Sequence, residues 1–402
     1  MSLEKFIKNE ILILAILFCA DALFLIYAIS NLSISYYEAE IFYNQNSLTS
    51  LIANVSCKIF SQNDYALRAP FLILHFINCA LIYKISKFTL KRRFDRLVAT
   101  ALFMGLPASM SSAILLNPAG IIIFATLLAY YFAKTKNWGA LIAVLVLSAF
   151  IDRAFFMLYI GFGIWALRSG KREIFVLNLA LFVFSIVFYD IGTQGKPRGY
   201  FLDALGVFAG AFSPFVFLFF VYAIYRIWIK ENKDLLWYIA TSAFCLALIF
   251  SLRQRVAMEM MLPYCVIATP LIVRVVFNSY RVRLPRFRSF HKFALGVSLF
   301  SLVFSYFSVI FSDAMYVAFF QNRPSKHFIY KFDVAKNLAN ELKKRGVASA
   351  LCDDEQMQLR LKFYGINKGF DAIIEEKNER NFDQSIDIYK LGVQIAKFYV
   401  KI

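Results

Sequence analysis

Two segments near the start of the chain carry side chains that can do chemistry. The first, residues 33–43, follows an apolar run and contains Glu38 and Glu40. The second places Asp64 and Arg68 four residues apart at the start of the next apolar run. A carboxylate can take a proton from a reacting hydroxyl or amine, and an arginine can hold a phosphate group. The same Asp–Arg spacing also occurs at ordinary helix starts, so both interpretations stay open.

Glu38 and Glu40 are the candidate catalytic residues, with Glu38 the first choice. Side chains two positions apart share a face only on extended backbone, and on a helix they point about 200° apart. We therefore expect one carboxylate to face a site and the other to face solvent. An interfacial segment with tyrosines at headgroup level explains the same residues equally well.

A later segment, residues 251–264, holds charges where a membrane protein normally avoids them. Arg253 and Arg255 lie in a gap on the side where basic residues are disfavoured, and Glu259 begins an apolar span. Charges in such places are costly unless they are paired or face a cavity, so they are functional candidates. Asp152 and Arg153 form a further polar pair between two spans. A short turn needs some polar residue, which is the simpler explanation of that pair.

The composition indicates an integral membrane protein. Of 402 residues, 60% are hydrophobic and 17% charged, with a mean hydropathy of +0.61. The apolar runs are long enough to cross a bilayer as helices. We predict a polytopic α-helical protein with about eleven transmembrane helices. Their approximate positions are 11–30, 69–87, 97–110, 118–133, 138–151, 154–167, 174–190, 212–228, 235–251, 259–276 and 293–312.

The net charge of +18 has a simple explanation in this topology. Lysine and arginine cluster in alternate gaps, such as 87–96, 226–233 and 274–292, as the positive-inside rule requires of cytoplasmic loops. The N-terminus is then cytoplasmic, and the basic loops contact membrane lipids. This placement argues against a nucleic-acid partner.

The composition changes after residue 311, and we predict a small extracytoplasmic α/β domain there. The proposed division is a transmembrane domain at 1–312, with its first extracytoplasmic loop at 31–68, and a C-terminal soluble domain at 313–402. Helices are expected at 334–344 and 355–364, and strands at 347–352, 372–374 and 393–402.

Metal and disulfide signals are weak. The six cysteines are scattered and form no CxxC motif, so no structural zinc site is indicated. A Cys57–Cys352 disulfide would need an oxidising compartment, and two free thiols are the preferred interpretation. No cofactor is indicated, although carboxylates near a phosphate leave room for a divalent metal whose ligands the sequence does not define.

The order of these features resembles the polytopic glycosyltransferases of the C superfamily. The branch in question contains the protein mannosyltransferases and the aminoarabinose transferases. Its Asp-Glu-Ala motif corresponds to Tyr37-Glu38-Ala39, its Gly-x-x-x-x-Ala-x-Arg-x-Pro-type entrance to the second span to Ser61–Pro70, and its later arginine-rich loop to Arg253–Tyr264. Tyr37 replaces the family's catalytic aspartate, and Asn117 stands where an acid is often found.

The resemblance implies transfer of a sugar from a polyprenyl-phosphate donor to a glycan, lipid A or protein acceptor. It also implies that the reaction takes place on the extracytoplasmic face. The dense use of Phe, Lys and Ile fits a low-GC bacterium, so we expect an inner (plasma) membrane location with a periplasmic active face, and an organelle membrane is the alternative. A transporter or flippase for a lipid-linked substrate, or an inactive membrane scaffold, is the alternative, and Tyr37 favours the scaffold. The candidate substrate-binding residues are Arg68, Arg253, Arg255, Glu259, Tyr264, Asp152 and Arg153.

Overall fold

A computed structural model describes residues 10–190, 199–255, 257–320, 330, 332–376, 382 and 384–401. The chain divides into two compact units, each built from separate stretches of sequence. The first unit comprises residues up to 22, 71–113 and 118–306. The second comprises residues 23–70, 114–117 and 307 onward.

Helices form most of the described chain. The helices before residue 200 are α1 (Glu10–Asn31), α2 (Tyr36–Asn44), α3 (Leu48–Phe60), α4 (Asp64–Thr89), α5 (Arg93–Gly105), α6 (Pro107–Ile114), α7 (Ala119–Thr135), α8 (Trp138–Ser148), α9 (Phe156–Arg168) and α10 (Arg172–Phe188). Those that follow are α11 (Phe201–Phe212), α12 (Pro214–Lys230), α13 (Leu235–Ser251), α14 (Leu262–Val266), α15 (Thr269–Val282), α16 (Arg288–Ile310), α17 (Ser312–Phe320), α18 (Val334–Lys344) and α19 (Glu355–Phe363). Short 3₁₀ turns lie at Arg153–Phe155, Met258–Met260 and Pro285–Phe287.

Several of these helices are long and apolar enough to cross a membrane. Within the described residues, four segments meet that condition, at Glu10–Asn31, Asp64–Thr89, Leu262–Val282 and Pro285–Ile310. Two bent pairs, α5 with α6 (59°) and α11 with α12 (104°), raise the number to six if each pair is one span. Every predicted span overlaps one helix or two consecutive helices, so the polytopic helical prediction is confirmed. The number eleven stays a prediction, because the other helices are shorter.

Close helix packing within the first unit depends on small residues, as is usual where lipid rather than water is the solvent. A Cβ atom at Gly161 in α9 would lie 2.8 Å from the Cα of Ile239 in α13. Any side chain there would force the two helices apart. Large apolar side chains on α16, including Phe293 and Phe300, are exposed, as expected of a surface that faces lipid.

The second unit contains a four-stranded sheet. Its strands are β1 (Ser349–Cys352), β2 (Asn367–Glu375), β3 (Gln384–Lys390) and β4 (Val393–Lys401), in the order β1-β2-β4-β3. The β1–β2 pair is parallel and the other pairs are antiparallel. One face of α18 packs on this sheet through buried side chains that include Val334 and Leu338.

The helices and strands expected after residue 311 are present, which confirms those predictions. Strand β3 was not predicted from the sequence. Its apolar residues alternate, at Ile386 and Ile388, but the run is short and bounded by charged residues. Cys57 and Cys352 are both free thiols in this unit, in agreement with the preferred interpretation.

Candidate active site

Glu38 lies in the second unit, where a local sequence pattern fixes its position. Ser35 caps helix α2, and its hydroxyl accepts a hydrogen bond from the Glu38 amide at 3.3 Å. The Glu38 carboxylate accepts in return from the Ser35 amide at 2.9 Å. This is a capping box, whose Ser-x-x-Glu signature is visible in the sequence and could have predicted a helix start here.

Arg68, in the second turn of α4, meets Glu38 in the interior of this unit. The guanidinium is 0% exposed and contacts both carboxylate oxygens, with Nη2–Oε2 at 3.1 Å and Nε–Oε1 at 3.2 Å. Its Nη1 and Nη2 atoms also donate to the backbone carbonyls of Leu32 and Ser33, at 3.2 and 3.1 Å. Arg68 is therefore held by the first loop on several sides, as a buried guanidinium must be.

The Glu38 carboxylate has little free accepting capacity. Besides Arg68 and Ser35, it accepts a hydrogen bond from the backbone amide of Leu116 at 2.9 Å. A carboxylate in this state positions Arg68. It can act as a base only if it gives up part of these contacts. The sequence pattern predicted an interaction site here but not how completely its charges are paired.

Asp64 is the second carboxylate beside Arg68, at 3.8 Å from its Nη1 atom. Tyr364, just after α19, donates its hydroxyl hydrogen to Asp64 Oδ1 at 2.7 Å, and Lys336 of α18 contacts Oδ2 at 2.9 Å. Burial and the Asp64 carboxylate both raise the pKa of the Tyr364 hydroxyl, so it stays protonated and donates. Asp64 was recognised in the sequence only as a partner of Arg68.

The C-terminal part of this unit also holds the backbone that leads into α2. The Ile34 amide donates to the Tyr364 hydroxyl at 2.8 Å, and the Ile34 carbonyl accepts from Arg360 Nε at 2.8 Å. Arg360 is buried, and its loss of hydration lowers the pKa of its guanidinium. Sequence analysis missed Lys336, Arg360 and Tyr364, since no motif marks them and they lie roughly 300 positions from their partners.

Glu40, the second candidate base, is less buried than Glu38. Its side chain is half-buried on α2, where Tyr36 donates a hydrogen bond to it. This bond is the main cause of a raised pKa for the Tyr36 hydroxyl. Glu38 and Glu40 therefore occupy different environments, one buried and one partly open, as their helical spacing requires. Tyr37 between them is 65% exposed.

The remaining candidates lie in the first unit. Asp152 caps the 3₁₀ turn at Arg153, accepting from the Ala154 amide at 2.7 Å, and the buried Tyr264 donates to the Ala154 carbonyl at 2.9 Å. Glu259 is within electrostatic range of this turn. Its carboxylate interacts electrostatically with both Asp152 and Arg153. The structure thus brings together Asp152, Arg153, Glu259 and Tyr264.

Arg253 and Arg255 lie in the turn after α13, and both are exposed. A metal site has no defined ligand set in the part of the chain that the structure describes, where no three His, Cys, Asp or Glu side chains come together. The acids of the candidate site, Glu38 and Asp64, are already paired with cationic side chains.

The long apolar helices and the small C-terminal sheet form a fold that solved structures share over almost the whole chain. The similarity is to ArnT, an aminoarabinose transferase, from Cupriavidus metallidurans. Its apo structure aligns with 96% of this chain and 97% of its own, with a TM-score of 0.52 and 12% identity. The structure bound to undecaprenyl phosphate aligns over the same shares, with a TM-score of 0.51 and 11% identity. No protein-family model and no curated protein sequence matches the chain.

Proposed function

We propose that this protein transfers a sugar from a polyprenyl-phosphate-linked donor to an acceptor at the extracytoplasmic face of the membrane. The observation that carries the proposal is a common fold over almost the whole length of both chains with a transferase, one of whose structures holds undecaprenyl phosphate. The buried cluster of Glu38, Arg68 and Asp64 supports it, because a membrane protein has no general need for such charges.

Two chemical tasks are required of the residues. As the bond between the sugar and the phosphate breaks, negative charge grows on the departing phosphate, and arginine side chains stabilise it. Our candidates for this role are Arg253 and Arg255, which are exposed, and Arg68, which would have to give up part of its contacts with Glu38 and the first loop. The bond from the acceptor oxygen or nitrogen to the sugar forms at the same centre, and the acceptor's proton passes to a carboxylate.

The contacts of Glu38 and Glu40 in the second unit help to decide which carboxylate takes the acceptor's proton. Glu38 was the preferred base from the sequence, and in the structure it orients Arg68. Glu40 is partly exposed and has fewer contacts, so it is the carboxylate better able to take a proton without disturbing an ion pair. We therefore keep both, with Glu38 positioning Arg68 and Glu40 as the candidate base that compensates for Tyr37.

The four residues around Ala154 are proposed to bind substrate from the first unit. Asp152, Arg153 and Glu259 supply charges, and Tyr264 fixes the turn that presents them. The basic loops support a cytoplasmic N-terminus and an active face on the opposite side. The membrane that we propose is the inner membrane. The acceptor stays open among lipid, glycan and protein.

The test is mass spectrometry of polyprenyl-linked sugars and envelope glycoconjugates in cells that lack the chain. Cells are complemented with wild type, Glu38→Gln, Glu40→Gln, the double variant or Arg255→Gln, and with Glu341→Gln as a surface control. We expect one conjugate to lose a sugar, its donor to accumulate, and only wild type and the control to restore it fully.

The alternatives give different results in the same experiment. A transporter tolerates neutral carboxylates at both positions, and an inactive scaffold tolerates loss of the carboxylates and Arg255 alike. Full transfer by the Glu38→Gln/Glu40→Gln double variant would overturn the proposed chemistry. Unchanged conjugates in every strain would favour the transporter or the scaffold.

A further inference from the structure

A polar cavity opens beside the charged cluster of the second unit. It has a volume of about 660 Å³ and lies between the start of α4, the end of α2, helix α18 and the turn after α19. This volume is typical of sites that hold a small molecule or a headgroup. The cavity touches the cluster directly, because Asp64 lines it and also contacts Arg68.

Three lysines give the cavity an excess of positive charge. Lys336, Lys343 and Lys362 line it, and among the described residues its one lining carboxylate is that of Asp64. Asp64 contacts Lys336 at 2.9 Å and also faces Arg68, and no described carboxylate forms an ion pair with Lys343 or Lys362. Lys362 lies 4.3 Å above the ring of Tyr43. Two ammonium groups therefore remain for an anion, and lysine binds phosphate and carboxylate groups as a point charge.

Gly365 lies in the turn after α19 and allows that turn to come close to Lys343 of α18. Its backbone has a φ of +84°, which ends the helix in a conformation that suits glycine. A Cβ atom at this position would lie 3.6 Å from the Nζ atom of Lys343. The turn and the ammonium group thus form one wall of the cavity.

The rest of the lining is suited to a saccharide. Amide side chains can donate to and accept from hydroxyl groups, and aromatic rings can cover the apolar face of a sugar ring. Gln62 already shows this behaviour, donating to the Tyr43 hydroxyl at 3.0 Å and to the Phe363 carbonyl at 2.7 Å. The side chains of these two kinds are Gln62, Asn63, Asn340, Asn367, Tyr43, Tyr65, Phe363 and Tyr364.

We propose that this cavity binds an anionic saccharide, a sugar bearing a phosphate or carboxylate group, as the headgroup of the acceptor. The assignment as acceptor rests on the proposed transferase function, whereas binding itself does not. A polyprenyl tail does not suit a lining of lysines and amides, because each polar group it covers would lose its hydration. Because Asp64 lines the cavity and also contacts Arg68, this ligand would lie next to the charged cluster.

The binding test uses the purified full-length chain in nanodiscs, titrated by calorimetry with glucose 1-phosphate and with glucuronate. Glucose, inorganic phosphate and glycerol 3-phosphate are the comparison probes. We expect at least one anionic sugar to bind 10-fold or more tightly than every comparison probe. The Lys343→Gln/Lys362→Gln variant should weaken that binding at least 10-fold, and Lys344→Gln, the next lysine along α18, should not.

Several results would overturn the inference. Equal binding by wild type and the double variant would remove the cavity as the site. Glycerol 3-phosphate binding as tightly as the anionic sugars would assign the cavity to phospholipid headgroups, and inorganic phosphate doing so would reduce it to a simple anion site.

Transfer assays separate this inference from the proposed function. If wild type transfers sugar and the double variant raises the KM for the acceptor with little change in kcat, the acceptor assignment is supported. If the KM is unchanged, the acceptor assignment fails while the transferase stands. If wild type binds the anionic sugar through these lysines but transfers nothing, the proposed function fails and the binding site remains.

Discussion

Replacing Glu38 with glutamine should destabilise the second unit more than any change at a surface charge. The substitution keeps the shape of the side chain and its ability to complete the capping box with Ser35. It removes the negative charge that faces Arg68, which is fully buried. With the glutamine oxygen accepting from Ser35, its NH2 group lies where Oε1 accepts from the Leu116 amide, so the change reports on the ion pair together with that contact and not on the start of helix α2.

The expected fall in unfolding free energy depends on which negative charges still face Arg68 after the substitution. Removing one member of a buried ion pair costs about 3–5 kcal/mol, because the other charge stays buried without its partner. Asp64, at 3.8 Å, still faces Arg68 and offsets part of this loss. We therefore expect the unfolding free energy to fall by about 3 kcal/mol, the lower end of that range.

The assay is denaturation of the purified protein in mixed micelles, with hydrogen exchange of the amides at 33–44 to locate the effect. The matched control is Glu341→Gln, which removes an exposed pair with Lys344 (Nζ–Oε1 2.7 Å) and should cost at most about 0.5 kcal/mol. In a cycle with Arg68→Met, the coupling energy between the two sites should be about 2 kcal/mol. If Glu38→Gln lowers the unfolding free energy by less than about 1 kcal/mol, an effect close to that of the control, this account of the ion pair is refuted.

Two further predictions concern the C-terminal part of the same unit. Tyr364→Phe removes the hydroxyl that joins Asp64 to the Ile34 amide, so the unfolding free energy should fall by about 1–3 kcal/mol. Hydrogen exchange at the Ile34 amide should become faster, and an unchanged exchange rate would contradict this prediction. Burial raises the pKa of Asp333 to about 6 despite its contact with Lys390, so the folded state holds a proton that the unfolded state has already lost. The contribution of Asp333 to the unfolding free energy should therefore be highest below pH 4 and fall by about 3 kcal/mol as the pH rises to 6. Denaturation curves taken at each pH measure this slope, and Asp333→Asn should remove it.

The sequence predicted the helices well because their signal is local. Apolar runs and flanking charges mark each span within about 20 residues, and the element at 334–344 shows helical spacing of its own. It also singled out Glu38 and Arg68 as a pair of charged positions at the ends of two spans. Their direct contact is a product of tertiary structure, joining residues 30 positions apart.

The part of the site that the sequence does not predict consists of contacts between residues far apart in the chain. Arg360 and Tyr364 contact Ile34 and Asp64 across gaps of 326 and 300 positions, and neither belongs to a recognisable motif. The extent of pairing at Glu38 was also not predictable, because it depends on the Leu116 amide, a backbone group that any residue could supply. Sequence patterns identify side chains that can react, but the contacts that occupy them depend on the completed fold.

The long gap between Asp64 and Tyr364 has a consequence for biosynthesis. At about 5–20 residues per second, a ribosome needs roughly 15–60 s to go from one to the other. During that time the Asp64 carboxylate and the Ile34 amide have neither the tyrosine hydroxyl nor Arg360 beside them, and water must serve instead. A chain stopped by a nonsense codon shortly after α16 would contain every predicted span and still have no finished site, so membrane insertion alone is a poor measure of a competent protein.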